Sequence, residues 1–253
     1  MPPRITTGRA ASTGPAPRAR PARAQGFLAG GSRLPYSGTV RGPAPFLALL
    51  AAALGGCAGP GRSLVAELER TDLQARLAAR GASLLGQGRE RFQAAGETFN
   101  GDCSGFVEAV YALEGIELRR ILQAAAPRET SAVAAAWIAA GRQGTRWRGG
   151  DWPSPGDLVF FDDTWDRNGN GRRDDPLTHV GLVEWVDVDG TVTFLHRGGQ
   201  GVTRGQLNLE RPSRARGEDG RPLNAPLRVR AGRHDDAPAL AGELFAGYGR
   251  IGI

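Results

Sequence analysis

The sequence predicts an α+β domain in which helices come first and pack on an antiparallel β-sheet. Three observations lead to this prediction. Apolar residues recur at spacings near four before residue 141, the pattern changes to short apolar runs after residue 155, and two of those runs flank the turn Asp189-Gly190. A doubly wound parallel sheet would instead alternate strands with helices along the chain.

Three helices are predicted, over residues 63–87, 102–114 and 130–141. The first carries leucines at spacings near four, which is typical of an amphipathic helix with one buried face. The third begins at Thr130 or Ser131, because either side chain can cap the free N–H groups at a helix start. These helices are expected to cover one face of the sheet.

Strands are predicted over residues 157–161, 179–188 and 191–196, and more weakly over residues 227–231. The second and third runs are rich in β-branched and aromatic residues and are separated by a short Asp-Gly turn, which predicts a β-hairpin. His179 begins one arm of this hairpin and His196 ends the other. A hairpin therefore brings both imidazoles to the same end of the ladder.

The basic charge of the chain lies in its first part. Seven arginines and no acidic residue fall within residues 1–56, so the formal net charge of +6 leaves −1 for the remainder. The folded part therefore has no net attraction for a phosphate backbone, and nucleic acid is not expected as a partner. Residues 1–40 are rich in Pro, Gly, Ala and Arg, a composition that predicts disorder.

Residues 41–57 have the layout of a secretory signal: one positive charge, an apolar run from Phe46 to Leu54, then small residues up to Cys57. The ending Leu-Gly-Gly-Cys resembles the lipobox of bacterial lipoproteins, in which the cysteine becomes the lipidated N-terminus. The resemblance implies a lipid anchor on Cys57. The alternative is a buried cysteine at the end of an apolar helix, and translation from Val40 instead of Met1 is a further hypothesis.

These features divide the chain into a disordered leader and signal peptide over residues 1–56, a tether over residues 57–62 and a catalytic domain over residues 63–253. Acyl chains on Cys57 would hold the domain at a membrane, since each buried methylene contributes about 0.8 kcal/mol. Ala58 follows Cys57, and the absence of Asp there implies the outer membrane, on the side that faces the periplasm. The protein is expected to be monomeric.

Cys103 stands where the second predicted helix begins. A helix start exposes unpaired N–H groups and a partial positive charge, which favour a thiolate, the nucleophilic form of cysteine. His179 can take the proton from this sulfur while His196 holds the tautomer of His179. Two alternatives remain open from the residues alone: a structural buried cysteine, and a zinc site in which all three residues are ligands.

Four blocks of sequence occur in a characteristic order: DCSGFV at residues 102–107, PGDLVFF at 155–161, HVGLVEW at 179–185 and FLHR at 194–197. In this order they resemble the NlpC/P60 family of cell-wall cysteine peptidases, over about residues 75–210. The resemblance implies a papain-like fold, with the helices packed on the antiparallel sheet, and hydrolysis of the γ-D-glutamyl to diamino-acid bond in peptidoglycan stem peptides.

Carried over position by position, the resemblance makes Cys103 the nucleophile, His179 the general base and His196 the third member of the triad. The family's tyrosine before the cysteine block is missing, and Phe92 or Phe99 is its expected replacement. Three residues near the nucleophile are therefore expected to bind substrate: Phe99, Asp102 and Ser104.

Residues 163–175, DTWDRNGNGRRDD, resemble the first part of a calcium-binding loop, with oxygen-bearing side chains at alternating positions around Gly171. The twelfth position of that pattern is Leu177, so the usual bidentate acid is missing, and Asp175 is a possible substitute. The alternative is an Asn-Gly-rich surface turn. No cofactor is required for the expected chemistry, and a structural Ca²⁺ is expected at Asp166, Asn168, Asn170 and Asp174.

The function expected from the sequence is a secreted, lipid-anchored cysteine hydrolase whose partner is peptidoglycan. Two alternatives stay open: an amidase or acyltransferase that acts on another amide or a lipid, and an inactive cell-wall-binding lipoprotein with the same fold.

Overall fold

The computed structural model describes residues 64–143, 145–228 and 239–252, with side chains from residue 68 onward. The predicted leader over residues 1–56, the lipidated Cys57 and the tether over residues 57–62 lie outside the described residues. Among the described helices, none combines the length and the apolar character needed to cross a membrane.

Four α-helices are described, and three of them were predicted. They are α1 (Leu64–Ser83), α2 (Cys103–Ala112), α3 (Leu118–Ala125) and α4 (Ala132–Arg142). Ser131 caps α4 by accepting the Ala134 N–H at 3.3 Å, which confirms one of its two predicted caps. Helix α3 was missed because it has only eight residues, and Glu117 at its start forms no side-chain cap that would have marked it.

The strands form a hairpin and a six-stranded sheet. The hairpin is β1 (Arg91–Ala94) with β2 (Glu97–Asn100), and the sheet has the order β3-β8-β4-β5-β6-β7 with neighbouring strands antiparallel. Its strands are β3 (Arg146–Trp147), β4 (Leu158–Phe161), β5 (His179–Val186), β6 (Val192–Gly198), β7 (Gly201–Leu207) and β8 (Phe245–Gly249).

The predicted α+β class with an antiparallel sheet is confirmed. The predictions of β4, β5 and β6 are also confirmed, to within two residues at each end. The strand predicted weakly over residues 227–231 is wrong for residues 227–228, which are not in a strand, and its other residues lie outside the described part. Leu227 instead donates its N–H to the Ala239 carbonyl in an irregular connection.

Two hydrophobic clusters lie on opposite faces of the sheet. The first joins α1, α2 and α4 to one face and contains fully buried Phe106, Leu182 and Leu195. The second covers the other face and contains Phe161 and Phe194. Gly81 lets α1 lie directly on β5, because a Cβ there would be 2.8 Å from the Leu182 side chain. Helix α2 packs against the same face of the sheet as α1, and Cys103 is its first residue.

Candidate active site

The β5–β6 hairpin brings two histidines together. His179 is the first residue of β5, and its Nε2 atom lies 3.0 Å from the Nδ1 atom of His196 on β6. The rings meet nearly edge to face, with an interplanar angle of 84°. At the other end of the hairpin, Asp189 accepts the Thr191 N–H and Gly190 has the positive φ of +77° that a tight turn requires. The predicted hairpin is confirmed.

Burial keeps both imidazoles neutral. It lowers the pKa of His179 to about 3, with a further contribution from the neighbouring His196, and lowers the pKa of His196 to about 4. The rings pack against Phe161 and Phe194 of the second cluster, at centroid distances of 6.2 and 5.2 Å. At neutral pH one ring therefore donates the shared hydrogen and the other accepts it. When His179 donates from Nε2, its Nδ1 lone pair is free to accept a proton.

The start of α2 is held by its cap. Asp102 Oδ1 accepts the Gly105 N–H at 2.8 Å and the Ser104 hydroxyl at 2.7 Å. Gly105 is required because a Cβ at this position would lie 2.0 Å from the Asn100 carbonyl oxygen, where β2 meets the helix. These contacts explain the Asp-Cys-Ser-Gly order: the aspartate caps the helix, the glycine permits the close approach, and the cysteine stands between them.

The environment of the Cys103 thiol differs from the one that a helix start predicts. Burial raises its pKa to about 11 and outweighs the backbone N–H groups of Val180, Ser104 and Cys103, which lower it. The Asp102 carboxylate raises it further. The expectation of a resting thiolate is therefore wrong, because desolvation outweighs the helix end, and the resting sulfur is a neutral thiol.

The Cys103 sulfur lies against the beginning of β5, the strand whose first residue is His179. Cys103 packs against the helix-side cluster, and its sulfur hydrogen-bonds with the backbone N–H of Val180, the residue that follows His179. His179 in turn contacts His196. The structure thus ties Cys103 to the residue that follows His179 and pairs His179 with His196. The roles of nucleophile, base and orienting partner stay predictions.

Residues 94–198 match the family model of the CHAP domain. The match spans about two fifths of the chain and includes Cys103, His179 and His196. CHAP domains are amidase and peptidase domains related to the NlpC/P60 cysteine peptidases, so the resemblance read from the sequence is confirmed at the level of related families. The α+β architecture is compatible with a papain-like CHAP fold.

The CHAP match indicates a hydrolase of the amidase or peptidase type that acts on peptidoglycan. No curated protein and no solved structure shows significant similarity to the chain.

The predicted substrate-binding residues occupy different surroundings. Asp102 is exposed and Ser104 half-buried, and their side chains bond to each other in the helix cap. Phe99 is buried on β2 opposite Phe92, inside the first hydrophobic cluster. Their contact with substrate stays a prediction, and for Phe99 the surroundings are those of a core residue.

The loop over residues 163–175, which we call the Asp/Asn loop, is closed by its own hydrogen bonds. Asp166 accepts the N–H groups of Gly169, Asn170 and Gly171, and the side-chain amides of Asn168 and Asn170 both donate to Asp174. Asp175 is buried and accepts the Arg167 N–H instead of facing this group. Three of the four predicted ligands therefore converge, while the proposed substitute acid points elsewhere, so the residues fit a calcium ion in part.

Within the part of the chain that the structure describes, no group of three or more His, Cys, Asp or Glu side chains is arranged to hold a metal ion. The calcium prediction depends on asparagine oxygens as well as carboxylates and stays a prediction.

Two positioning contacts were not predicted from the sequence. Leu177, with a positive φ of 51°, donates its N–H to Asp162 Oδ1 at 2.7 Å and sets the entry of the chain into His179. Arg197, directly after His196, donates to the carbonyls of Gly88 and Arg89 at 2.9 and 2.7 Å. These contacts tie the segment before β1 to the histidine strand. The only available signal was the position of Arg197 beside a candidate catalytic residue.

Proposed function

We propose that the protein is a cysteine hydrolase that cleaves an amide bond in peptidoglycan stem peptides, of the γ-D-glutamyl to diamino-acid endopeptidase type. The observation that carries this proposal is the 3.0 Å contact between His179 and His196 at the start of β5, the strand whose second residue, Val180, offers its N–H to the Cys103 sulfur. The CHAP match supports the same class of substrate.

Acylation begins with a neutral Cys103 thiol and a neutral His179 imidazole. As the Cys103 sulfur forms a bond to the amide carbon, its proton moves to Nδ1 of His179, and the carbonyl electrons collect on oxygen. The backbone N–H of Cys103, which lowers the pKa of the resting sulfur, is then able to stabilise this oxyanion. The His179 imidazolium returns its proton to the leaving amine as the C–N bond breaks, which leaves a thioester on Cys103.

Deacylation reverses the proton path. His179 takes a proton from a water molecule, the hydroxide attacks the thioester carbon, and the C–S bond breaks with return of the proton to sulfur. His196 acts as a positioning residue throughout. Its Nδ1 accepts the hydrogen from His179 Nε2, so it fixes the His179 tautomer and stabilises the imidazolium that forms twice in each cycle.

The lipobox-like ending at Cys57 supports a lipid anchor, and Ala58 supports placement at the outer membrane on its periplasmic side. An anchored hydrolase would act on the cell wall within the reach of its tether. Monomeric action is consistent with a site formed by one chain.

A second candidate function is an amidase that cuts a different amide of peptidoglycan. The CHAP match favours it, because CHAP domains include amidases as well as peptidases. The Cys103, His179 and His196 chemistry is the same for both functions, and only the bond that reaches the sulfur differs.

The test is mass spectrometry of muropeptides after incubation of purified sacculi with the protein. Wild type should release fragments cut between D-glutamate and the diamino acid, and Cys103→Ala should release none. Cys57→Ala is the matched control, since it removes the other cysteine and should retain hydrolysis of soluble fragments. Cleavage at the sugar-to-peptide amide would identify the amidase, and an active Cys103→Ala variant would refute the thiol mechanism.

A further inference from the structure

A second polar groove lies at the end of the sheet opposite the histidines. Residues of the β5–β6 turn, β6, β7 and a following loop line a cavity of about 180 Å³, and six of its eight lining residues are polar: Asp187, Asp189, Thr191, Thr193, Gln206 and Arg221. We call it the distal groove. It shares Asp189, Arg221 and Leu223 with a neighbouring cavity of about 480 Å³. Together the two reach the size of small-ligand sites, about 300–1,000 Å³.

The sheet register places an exposed indole at the rim of the distal groove. Trp185 on β5 is directly opposite Thr193 on β6, and Thr193 is directly opposite Gln206 on β7. Residues in such a row share one face, with directly opposite Cβ atoms about 4.5–5.5 Å apart. This row lies beyond Leu182 and Leu195, which the helices cover, and Trp185 retains 41% of its exposure.

A β-bulge and an arginine fix the direction of this indole. The register of β5 shifts between Val183 and Trp185, which places Glu184 in the bulge. Arg204 donates two hydrogen bonds of 2.6 Å to Glu184 and lies over the Trp185 ring at 5.6 Å from its centroid. A bidentate ion pair that also contacts the ring holds the side chain in place before any ligand arrives.

The distal groove carries both signs of charge, with Asp187 and Asp189 against Arg221, so its lining has one net negative charge. Arg221 forms ion pairs with Asp219 and with Asp189, the latter at 3.6 Å, so the groove offers no unpaired cation for an anionic ligand. What remains is a closely mixed set of hydroxyl, amide, carboxylate and guanidinium groups beside one apolar ring face. This set matches a sugar ring, whose hydroxyl and amide groups both donate and accept while its C–H face packs on an aromatic ring.

We propose that the distal groove binds the glycan strand of peptidoglycan through its neutral N-acetylated sugar rings, with Trp185 as the stacking platform. The proposal rests on the proposed function for the identity of the polymer. Trp185 is six residues from His179 along β5, roughly 20 Å at about 3.3 Å per residue. A glycan held there would keep the enzyme on the wall while a stem peptide occupies the catalytic end.

The test measures binding without catalysis. The full chain carrying Cys103→Ala is titrated with peptide-free glycan strands and with the tetramer of N-acetylglucosamine, and Trp fluorescence and calorimetry follow binding. We expect saturable binding that changes little with salt. Trp185→Ala should weaken it at least tenfold, and Gln206→Ala should weaken it by a smaller factor. Leu68→Ala is the matched control, because it removes another exposed apolar side chain, on α1, and should bind as the parent does.

Thermal unfolding shows whether each variant is folded. If Trp185→Ala is not folded, Gln206→Ala provides the test in its place. Absence of binding to both saccharides, or equal binding by the Trp185 and Gln206 variants, overturns the glycan site. Binding only to an anionic polymer, lost at high salt, overturns it as well. With Cys103 intact, wild type and the Leu68→Ala control should hydrolyse a small soluble stem peptide at the same rate. Failure of that hydrolysis in wild type would refute the proposed function and leave the glycan measurement standing.

Discussion

The Nε2 atom of His179 is 3.0 Å from the Nδ1 atom of His196, and the two rings pack against Phe161 and Phe194 of the second hydrophobic cluster. A hydrogen bond between two neutral imidazoles leaves one outer nitrogen as an acceptor and one as a donor. In the proposed mechanism this makes the pair directional: His179 exchanges the proton with the Cys103 thiol, and His196 orients His179. The two histidines should therefore respond differently to replacement.

Replacement of the histidines should therefore have unequal effects. His179→Ala removes the base and should lower kcat by roughly 10²–10⁴-fold. His196→Ala should lower kcat by a smaller factor with little change in KM, because His179 remains but loses its orientation. His196→Asn, which can still accept the hydrogen, should recover part of the loss. Equal kcat values for His196→Ala and wild type would contradict the positioning role.

Alkylation of Cys103 should depend steeply on pH. Because burial raises the pKa of this thiol to about 11, the rate of reaction with iodoacetamide in the Cys57→Ala background should be low at pH 7 and increase up to about pH 11. Inactivation that is unchanged by EDTA would favour a free thiol over the zinc alternative. A rate that is already at its plateau below pH 8 would show a resting thiolate and contradict the neutral pair.

The buried histidines should make folding sensitive to acid. Their pKa values are lowered in the folded state to about 3 and about 4, whereas an unfolded histidine titrates near 6.5. As pH falls below 6.5, the histidines are protonated in the unfolded chain but stay neutral in the folded one. The free energy of unfolding therefore decreases towards pH 4, by at most about 1.4 kcal/mol per pH unit for each histidine. Urea unfolding between pH 7 and 4 measures this slope.

The double variant His179→Asn, His196→Asn is the control for that slope. Carboxylates also titrate in the lower part of this range, and they are unchanged in the double variant. The difference between the two proteins therefore isolates the histidines, and parallel curves between pH 6.5 and 4.5 would show that the pair is not buried in its neutral form.

Loss of a buried ion pair should reduce the free energy of unfolding more than loss of an exposed one. Asp157 is fully buried and receives two hydrogen bonds from Arg250, at 2.6 and 2.9 Å. Arg250→Met leaves this carboxylate uncompensated and should reduce the free energy of unfolding by about 3–5 kcal/mol. Arg120→Ala, at a pair with Glu117 in which both side chains are mostly exposed, should cost only about 0–1 kcal/mol. Urea unfolding compares them, and equal losses would contradict the difference in burial.

Local patterns predicted the parts of the site that are built locally. The cap at Asp102, the hairpin turn at Gly190 and the strands that carry the histidines each follow from a few adjacent residues. The missed elements depend on distant contacts. Strand β8, with the sequence FAGYG, has glycines where a strand pattern expects side chains, and it forms only because β4 and β3 pair with it. The burial of Cys103 likewise results from packing on β5, which no spacing within α2 reveals.

The Asp/Asn loop offers the clearest remaining test of a predicted ligand. The side chains of Asn168, Asn170 and Asp174 meet within hydrogen-bonding distance, so a rotation of each amide would present its oxygen to a cation between them. We propose that Ca²⁺ binds there and stabilises the loop. Calcium chloride should raise the melting temperature of the full chain, and magnesium chloride should raise it less, because the site lacks the rigid octahedral set that Mg²⁺ prefers.

Asp174→Asn is a better test than a change at Asp166. Asp166 accepts three backbone N–H groups, so replacing it would disturb the loop even without calcium. Asp174→Asn removes one negative charge, keeps the shape of the side chain and should abolish the calcium-dependent increase while leaving the melting temperature without calcium nearly unchanged. The loop leads into His179 through Leu177, so calcium should also raise hydrolysis by wild type but not by Asp174→Asn. A melting temperature that is the same with and without calcium would favour the alternative of an Asn-Gly-rich surface turn, stabilised by its internal hydrogen bonds alone.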